Sequence, residues 1–165
     1  MSNLTAVDQL ALEAALREAH AGLSEGGIPI GSALVTRAGE LIATGHNLRV
    51  QNGDPTAHAE MVCIRNAGRR HDWHELILAS TLSPCAMCSG TAVLCRIPRV
   101  VIGERETFQG REDWMAAAGA TIVYANDLRC IELMREFISA NPRLWNEDIG
   151  VPPAIEQTQV ASPKL

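Results

Sequence analysis

Apolar residues at Leu12, Leu16, Ala19 and Leu23 recur at intervals of four, three and four, which puts them on one face of an amphipathic helix. Gly26 and Gly27 end it. The period then changes: residues 32–36 read as a strand, Ala38-Gly39 suits a tight turn, and residues 40–44 read as a second strand. Asp54-Pro55 looks like a helix start, a capping side chain followed by proline in the first helical position, and predicts a helix over 57–66. That segment is apolar on nearly every side (Ala59, Met61, Val62, Cys63, Ile64), as expected of a buried helix. Residues 76–82 read as a third strand, and Ser83-Pro84 repeats the cap-plus-proline signal before a helix over 84–95. A fourth strand over 99–103, a short helix over 111–118 and a fifth strand over 120–125 follow. Asp127 caps a long helix to about residue 140, and 142–149 add one or two more turns.

Two strands followed by helix–strand alternation predict a three-layer α/β/α sandwich around a mixed five-stranded sheet. The helix between the fourth and fifth strands suffices for a crossover, so those last two strands should be parallel. No repeat, linker or low-complexity run divides the chain. One domain over 1–150 is expected, followed by a tail over 151–165 that carries three prolines and should be extended or mobile.

A length of 165 residues allows one domain with its own core. Lys and Arg total 14 against 19 acidic residues, a formal net charge of −5, which argues against a nucleic-acid partner. The first twenty residues interrupt their apolar positions with Asp8, Glu13, Arg17 and Glu18, unlike a signal peptide, and no stretch reaches membrane-spanning length. Five cysteines, an odd number, argue against a disulfide framework and for metal binding or buried thiols in a reducing compartment. The expectation is a cytoplasmic protein with no membrane partner.

Chemistry concentrates in His58-Ala59-Glu60 and Pro84-Cys85-Ala86-Met87-Cys88. Alone, the Cys-x-x-Cys fits a metal site, a redox pair or two buried thiols, and His-x-Glu alone carries little weight. Together, each following a strand and opening a helix, with Cys85 placed 27 positions after His58 (85 − 58), they suit zinc held by one imidazole and two thiolates. Cys85 and Cys88 at i, i+3 share a helix face, and the positive helix N-terminus favours thiolate. Residues i and i+2 of a regular helix diverge, so His58 must lie in the first turn for its ring to lean over the helix end. Cys63, Cys95 and Cys130 sit in apolar helical patterns and read as buried thiols. Three ligands rather than four mark a catalytic metal, beside which Glu60 can accept and return a proton.

At these motifs the chain resembles the cytidine deaminase-like superfamily, and more closely the zinc-dependent fungal-type cytosine deaminases. The resemblance covers most of 26–150 and includes Gly27-Ile28-Pro29-Ile30-Gly31, Gly45-His46-Asn47, Thr81-Leu82-Ser83-Pro84-Cys85 and Trp145-Asn146-Glu147-Asp148-Ile149-Gly150. It implies one Zn2+ per chain, a homodimer and a small-molecule nucleobase substrate. Asn47 and the backbone of Ala59 would contact the ring carbonyl side, the Ser83 carbonyl the amino group, and Asp148 a further polar edge. Phe108 and Trp145 would close over the ring and leave little room for a ribose. On the residues alone, Asn47 reads as a turn residue and Asp148 as a solvated acid. Phe108 and Trp145 stand out as aromatics outside any strong core pattern. The chain departs from the fungal pattern at Ala59, where glycine is usual, and at Ala86, where an acid is usual.

The expected reaction is hydrolytic deamination, cytosine to uracil plus ammonia, with Glu60 moving protons to N3 and to the leaving amine. Deamination of guanine, a pterin or an aminotriazine is the alternative within enzymes, and a zinc-stabilised binding protein the alternative outside them. A tRNA adenosine deaminase shares the zinc motifs, but the acidic total and the 145–148 segment speak against it. Small residues Ala86, Ser89, Gly90 and Ala92 permit close helix contact with a second copy or, equally, within the core.

Overall fold

Helix α1 (Ala6–Ser24) begins with a reciprocal capping box: Thr5 Oγ1 accepts from the Asp8 N–H at 3.1 Å, and Asp8 Oδ2 accepts from the Thr5 N–H at 2.7 Å. This computed structural model describes residues 4–152, so all but the first two residues of the tail expected over 151–165 lie outside the described residues. Asp8 is fully buried and also receives Arg99 through Nε at 2.8 Å and Nη2 at 2.6 Å, which ties α1 to the sheet. Burial pushes the Asp8 pKa up, but its bonds to Arg99 and Thr5 outweigh that and leave it below the usual carboxylate value. Alanines 11, 14, 15 and 19 bring α1 close to β1 (Gly31–Thr36). A Cβ at Gly31 would overlap the Ala15 carbonyl oxygen, so no larger residue fits there.

The sheet order is β2 (Leu41–His46), β1, β3 (Leu76–Leu82), β4 (Arg99–Glu104), β5 (Thr121–Tyr124). β1 is antiparallel to β2 and β3, while β3, β4 and β5 run parallel, as the crossover argument requires of the last pair. Alternation along the strands fills two cores. Ala33, Val35, Ile77, Ala79, Val101 and Val123 meet α1 and Cys130 of α6 (Leu128–Ala140). On the other face, Leu34, Leu78, Val100 and Ile102 meet Cys63 of α3 (Ala59–Ala67), Ala92 of α4 (Ala86–Leu94) and Met115 of α5 (Glu112–Ala117). The three-layer mixed sandwich is thus present. A third apolar cluster, with Ile28, Leu82, Phe137 and Trp145, lies under α7 (Pro142–Asp148).

Two helix starts differ from their sequence signals. Asp54 does not cap α3: its Oδ1 accepts from the N–H and hydroxyl of Thr56, at 2.8 and 2.7 Å, in a local turn that competes with capping. His58 is the N-cap residue, and the preceding chain forms a short helix α2 (Arg49–Asn52) that the apolar pattern did not announce. Ser83 does not cap α4 either. Its N–H still bonds the Glu104 carbonyl at 2.9 Å, so the chain remains in the sheet until Pro84 and the N-cap falls on Cys85.

His46 closes β2 onto the end of α1, with Nδ1 2.6 Å from Glu18 Oε2 and Nε2 3.0 Å from Glu25 Oε2. Burial lowers the His46 pKa, but the two carboxylates raise it more, leaving it above the ordinary histidine value. A raised histidine pKa stabilises the fold fully below the unfolded value and loses that contribution as pH rises through the native value. The melting temperature of His46→Gln should therefore fall further below wild type at about pH 6 than at about pH 9. Equal deficits at both would exclude the charged form as the stabilising one.

Candidate active site

The starts of α3 and α4 meet at one end of the sheet. His58 (φ −68°, ψ 157°) and Cys85 (φ −64°, ψ 176°) are their extended N-cap residues, and neither side chain caps its own helix. Instead both turn towards each other: Cys85 Sγ lies 3.5 Å from His58 Nδ1 and 3.7 Å from Cys88 Sγ. The three donor atoms all lie within 4.8 Å of one another, and no other cluster of three such residues occurs among the described residues. Being ahead of the first turn rather than in it frees His58 from the i, i+2 divergence. Glu60 can then approach the same point from inside α3.

The donor set fits zinc in softness and number, leaving a tetrahedral position over. Cys85 is held at a pKa of about 4, chiefly by the Cys88 S–H and then, against burial, by His58. Cys88 is pushed upward by the Cys85 thiolate and by burial. Burial would lower the His58 pKa, but Cys85 and Asp148 raise it. Cys88 thus keeps its proton beside a Cys85 thiolate, and a cation binding both sulfurs would displace that proton. His58 Nε2, the nitrogen turned away from the thiols, lies 3.7 Å from Asp148 Oδ1, where a carboxylate can orient the ring. Cys63 and Cys130 are buried thiols with pKa pushed up to about 12, first by burial, and stand outside the cluster.

Glu60 is 3% exposed, and its Oε1 accepts from the Ser80 hydroxyl at 2.9 Å. Burial, then the Cys85 charge, raises its pKa, so the carboxylate takes a proton more readily than an ordinary glutamate. Ser80 was missed from sequence. The available signal was a hydroxyl inside a strand whose seven residues are all buried.

A cavity of about 360 Å³ opens beside this cluster. Nine of the ten sequence-selected positions line it, and Cys88 alone lies behind its wall. Asn47 is fully buried, and its Oδ1 accepts from the Arg49 N–H at 3.0 Å. That bond fixes the amide orientation, and Nδ2 has no hydrogen-bond partner. The Asp148 side chain is 4% exposed, and its Oδ1 also lacks a hydrogen-bond partner, with Arg49 Nη1 3.6 Å away. Burial raises the Asp148 pKa, while His58 and Arg49 oppose it; Asn47 lowers it too, from outside hydrogen-bonding geometry. Ala59 is the first residue of α3, so its N–H belongs to the donors without an intrahelical acceptor. Phe108 and Trp145 meet edge to face, ring centroids 6.0 Å apart at 89°, and both line the cavity. Apolar walls from Ile30, Leu82 and Ile149 carried no individual sequence signal.

A mixed three-layer sandwich with a His/Cys/Cys cluster and a buried glutamate at two helix starts defines the class of zinc-dependent base deaminases. Residues 5–104 match the cytidine and deoxycytidylate deaminase zinc-binding region, and the chain belongs to that family. It is 41% identical to the cytosine deaminase of Candida albicans over 149 residues, covering 89% of this chain and 99% of that protein. It is also 41% identical to a tRNA-specific adenosine deaminase of Aquifex aeolicus, over 60% of this chain and 67% of that protein. A solved guanine deaminase from Nitrosomonas europaea superposes with a TM-score of 0.70 at 25% identity, covering 82% and 86% of the two chains. The chain is accordingly a deaminase with a zinc-binding domain, a zinc aminohydrolase. Among the described residues, no helix is long and apolar enough to cross a membrane.

Proposed function

We propose that the chain deaminates free cytosine to uracil and ammonia, with His58, Cys85 and Cys88 as zinc ligands and Glu60 as the proton carrier. The observation that carries the choice of ring is the pair of buried atoms in the cavity wall that lack a hydrogen-bond partner, Asn47 Nδ2 and Asp148 Oδ1. Buried polar groups without partners cost about 1–3 kcal/mol each, so a good substrate supplies an acceptor for the first and a donor for the second. Reading from its reacting carbon, cytosine offers N3, then the carbonyl O2, then N1–H. Glu60 serves N3, the Asn47 amide with the Ala59 N–H serves O2, and Asp148 serves N1–H. In guanine the ring nitrogen N3 is followed by a fusion carbon and no carbonyl. A nucleoside carries its sugar on N1 and has no hydrogen there to give.

When bound, zinc acidifies water towards a pKa of about 7 and so makes hydroxide available near neutral pH. Glu60 takes the released proton and delivers it to N3 as hydroxide adds to C4. The same carboxylate then takes the proton of the new C4–OH and passes it to the departing amine as the C4–N bond breaks and the C4 carbonyl forms, so water and cytosine become uracil and ammonia. Ser80 keeps Glu60 in one orientation through both transfers. The Ser83 carbonyl receives the amino N–H, and Phe108 and Trp145 cover the ring and exclude water.

We also propose a cytoplasmic homodimer working in pyrimidine salvage, with 1–150 as the catalytic domain. Support for a second copy comes from α4, where Leu94 is 82% exposed and the Gly90 face meets no atom within 4 Å.

Ammonia release from a panel of cytosine, cytidine, guanine, a pterin and an aminotriazine tests the ring assignment. Cytosine should be fastest, with cytidine at least about 100-fold slower, since loss of a buried hydrogen bond is penalised on that scale or more. Guanine turned over faster than cytosine would overturn it.

A further inference from the structure

Phe108 stands on the segment 105–110, between β4 and α5, and this segment has no regular structure of its own. We infer that Glu104, outside the cavity, is a positioning residue that sets the Phe108 roof and thereby substrate affinity, an inference resting on the deaminase reading above. Glu104 is 1% exposed and closes β4. Its Oε2 accepts from the N–H groups of Glu106 at 2.6 Å and Thr107 at 3.0 Å, and its Oε1 accepts from the Thr107 hydroxyl. All three donors belong to the chain that leads directly into Phe108. No cation is among these partners, so the buried carboxylate is balanced by oriented donors alone.

The other foot of the segment is tied to the same corner. The Gly110 N–H donates to Ser83 Oγ at 2.9 Å, and the Arg111 N–H donates to the Pro84 carbonyl at 3.0 Å. A Cβ at Gly110 would overlap that Pro84 oxygen, so the approach depends on glycine. Glu104 also accepts the Ser83 N–H on its own carbonyl at 2.9 Å. The roof is thereby anchored at both ends to the strand ends that present Ser83 and Cys85. Its outer face is held more weakly, by the exposed Glu106–Arg135 pair at 2.7 Å. A rigid sheet end thus fixes a loop aromatic through one buried carboxylate.

The roof touches the ring in the ground state and the transition state alike, so loosening it removes uniform binding: KM rises while kcat is kept. Glu104→Gln removes the charge that strengthens all three bonds and replaces one acceptor oxygen by an NH2, which must face either the Glu106 and Thr107 N–H groups or the Thr107 hydroxyl that now donates. On the base that the wild type turns over, KM should rise about 5- to 20-fold with kcat changed by no more than about 2-fold. Hydrogen exchange at the amides of 106 and 107 should quicken in the same variant, with zinc per chain unchanged. Thr107→Val and Thr107→Ser supply a second reading should Glu104→Gln not fold: Val should reproduce the KM rise and Ser should restore wild-type behaviour. Quickened exchange with unchanged KM, a fall confined to kcat, or equal behaviour of Val and Ser would each overturn the assignment. Turnover of another base in place of cytosine would overturn the substrate proposal while leaving this test intact on that base.

Discussion

Glu60→Gln should retain zinc and lower kcat by at least about 10³-fold, within the range general acid–base catalysis contributes. The amide is nearly isosteric, so the Ser80 hydroxyl can still donate to Oε1 as it does to the carboxylate at 2.9 Å. Two proton transfers are lost together, one to the ring nitrogen and one to the amine, which is why the effect should be near the upper end. Ammonia release measured beside zinc content decides the matter. A zinc-loaded Gln variant with substantial turnover would remove Glu60 from the mechanism.

Cys88→Ala should reduce bound zinc from near one per chain to near none and abolish turnover. The position isolates the metal from the substrate, because Cys88 is fully buried and does not line the cavity. Removing one of three ligands costs most of the chelate, since the two that remain come from different helices. Cys63→Ala is the matched control: it too is fully buried, yet it lies outside the cluster and should keep its zinc. Stoichiometric zinc in Cys88→Ala, or its loss in Cys63→Ala, would contradict the ligand assignment.

Much of this was legible in the sequence because local pattern and fold agree. The spacing of Leu12, Leu16 and Ala19 predicts α1, helix–strand alternation predicts the mixed sheet, and the helix between the last two strands makes them parallel. Two cysteines three apart after a strand placed the thiolates. Other features depended on which of several competing contacts forms, some local and some distant in sequence. Asp54 and Ser83 look like caps, but each finds a better use, one in a local turn with Thr56 and the other accepting from Gly110. Asn47 looks like a turn residue until the Arg49 N–H fixes its amide and turns Nδ2 inward. Asp148 looks solvated because its neighbours in sequence are polar, yet α7 carries it against Arg49 and His58. Ser80 and Glu104 acquire meaning only through partners that the sheet brings to them.

The uncapped starts of α3 and α4 bear on how stable the chain is without metal. A well-formed N-cap stabilises a helix by about 0.5–2 kcal/mol, and His58 and Cys85 both decline that role to face each other. A serine or asparagine at either place would tighten the metal-free fold and cost a donor to the ion. The chain without metal therefore stands below the stability its architecture could reach, and ion binding restores the difference by mass action. Metal scarcity then acts twice, on the fraction of molecules able to react and on the fraction exposed to proteolysis. Under the proposed zinc assignment, the cellular amount of the protein should therefore fall when zinc is scarce, an effect set by two residues at the front of two helices.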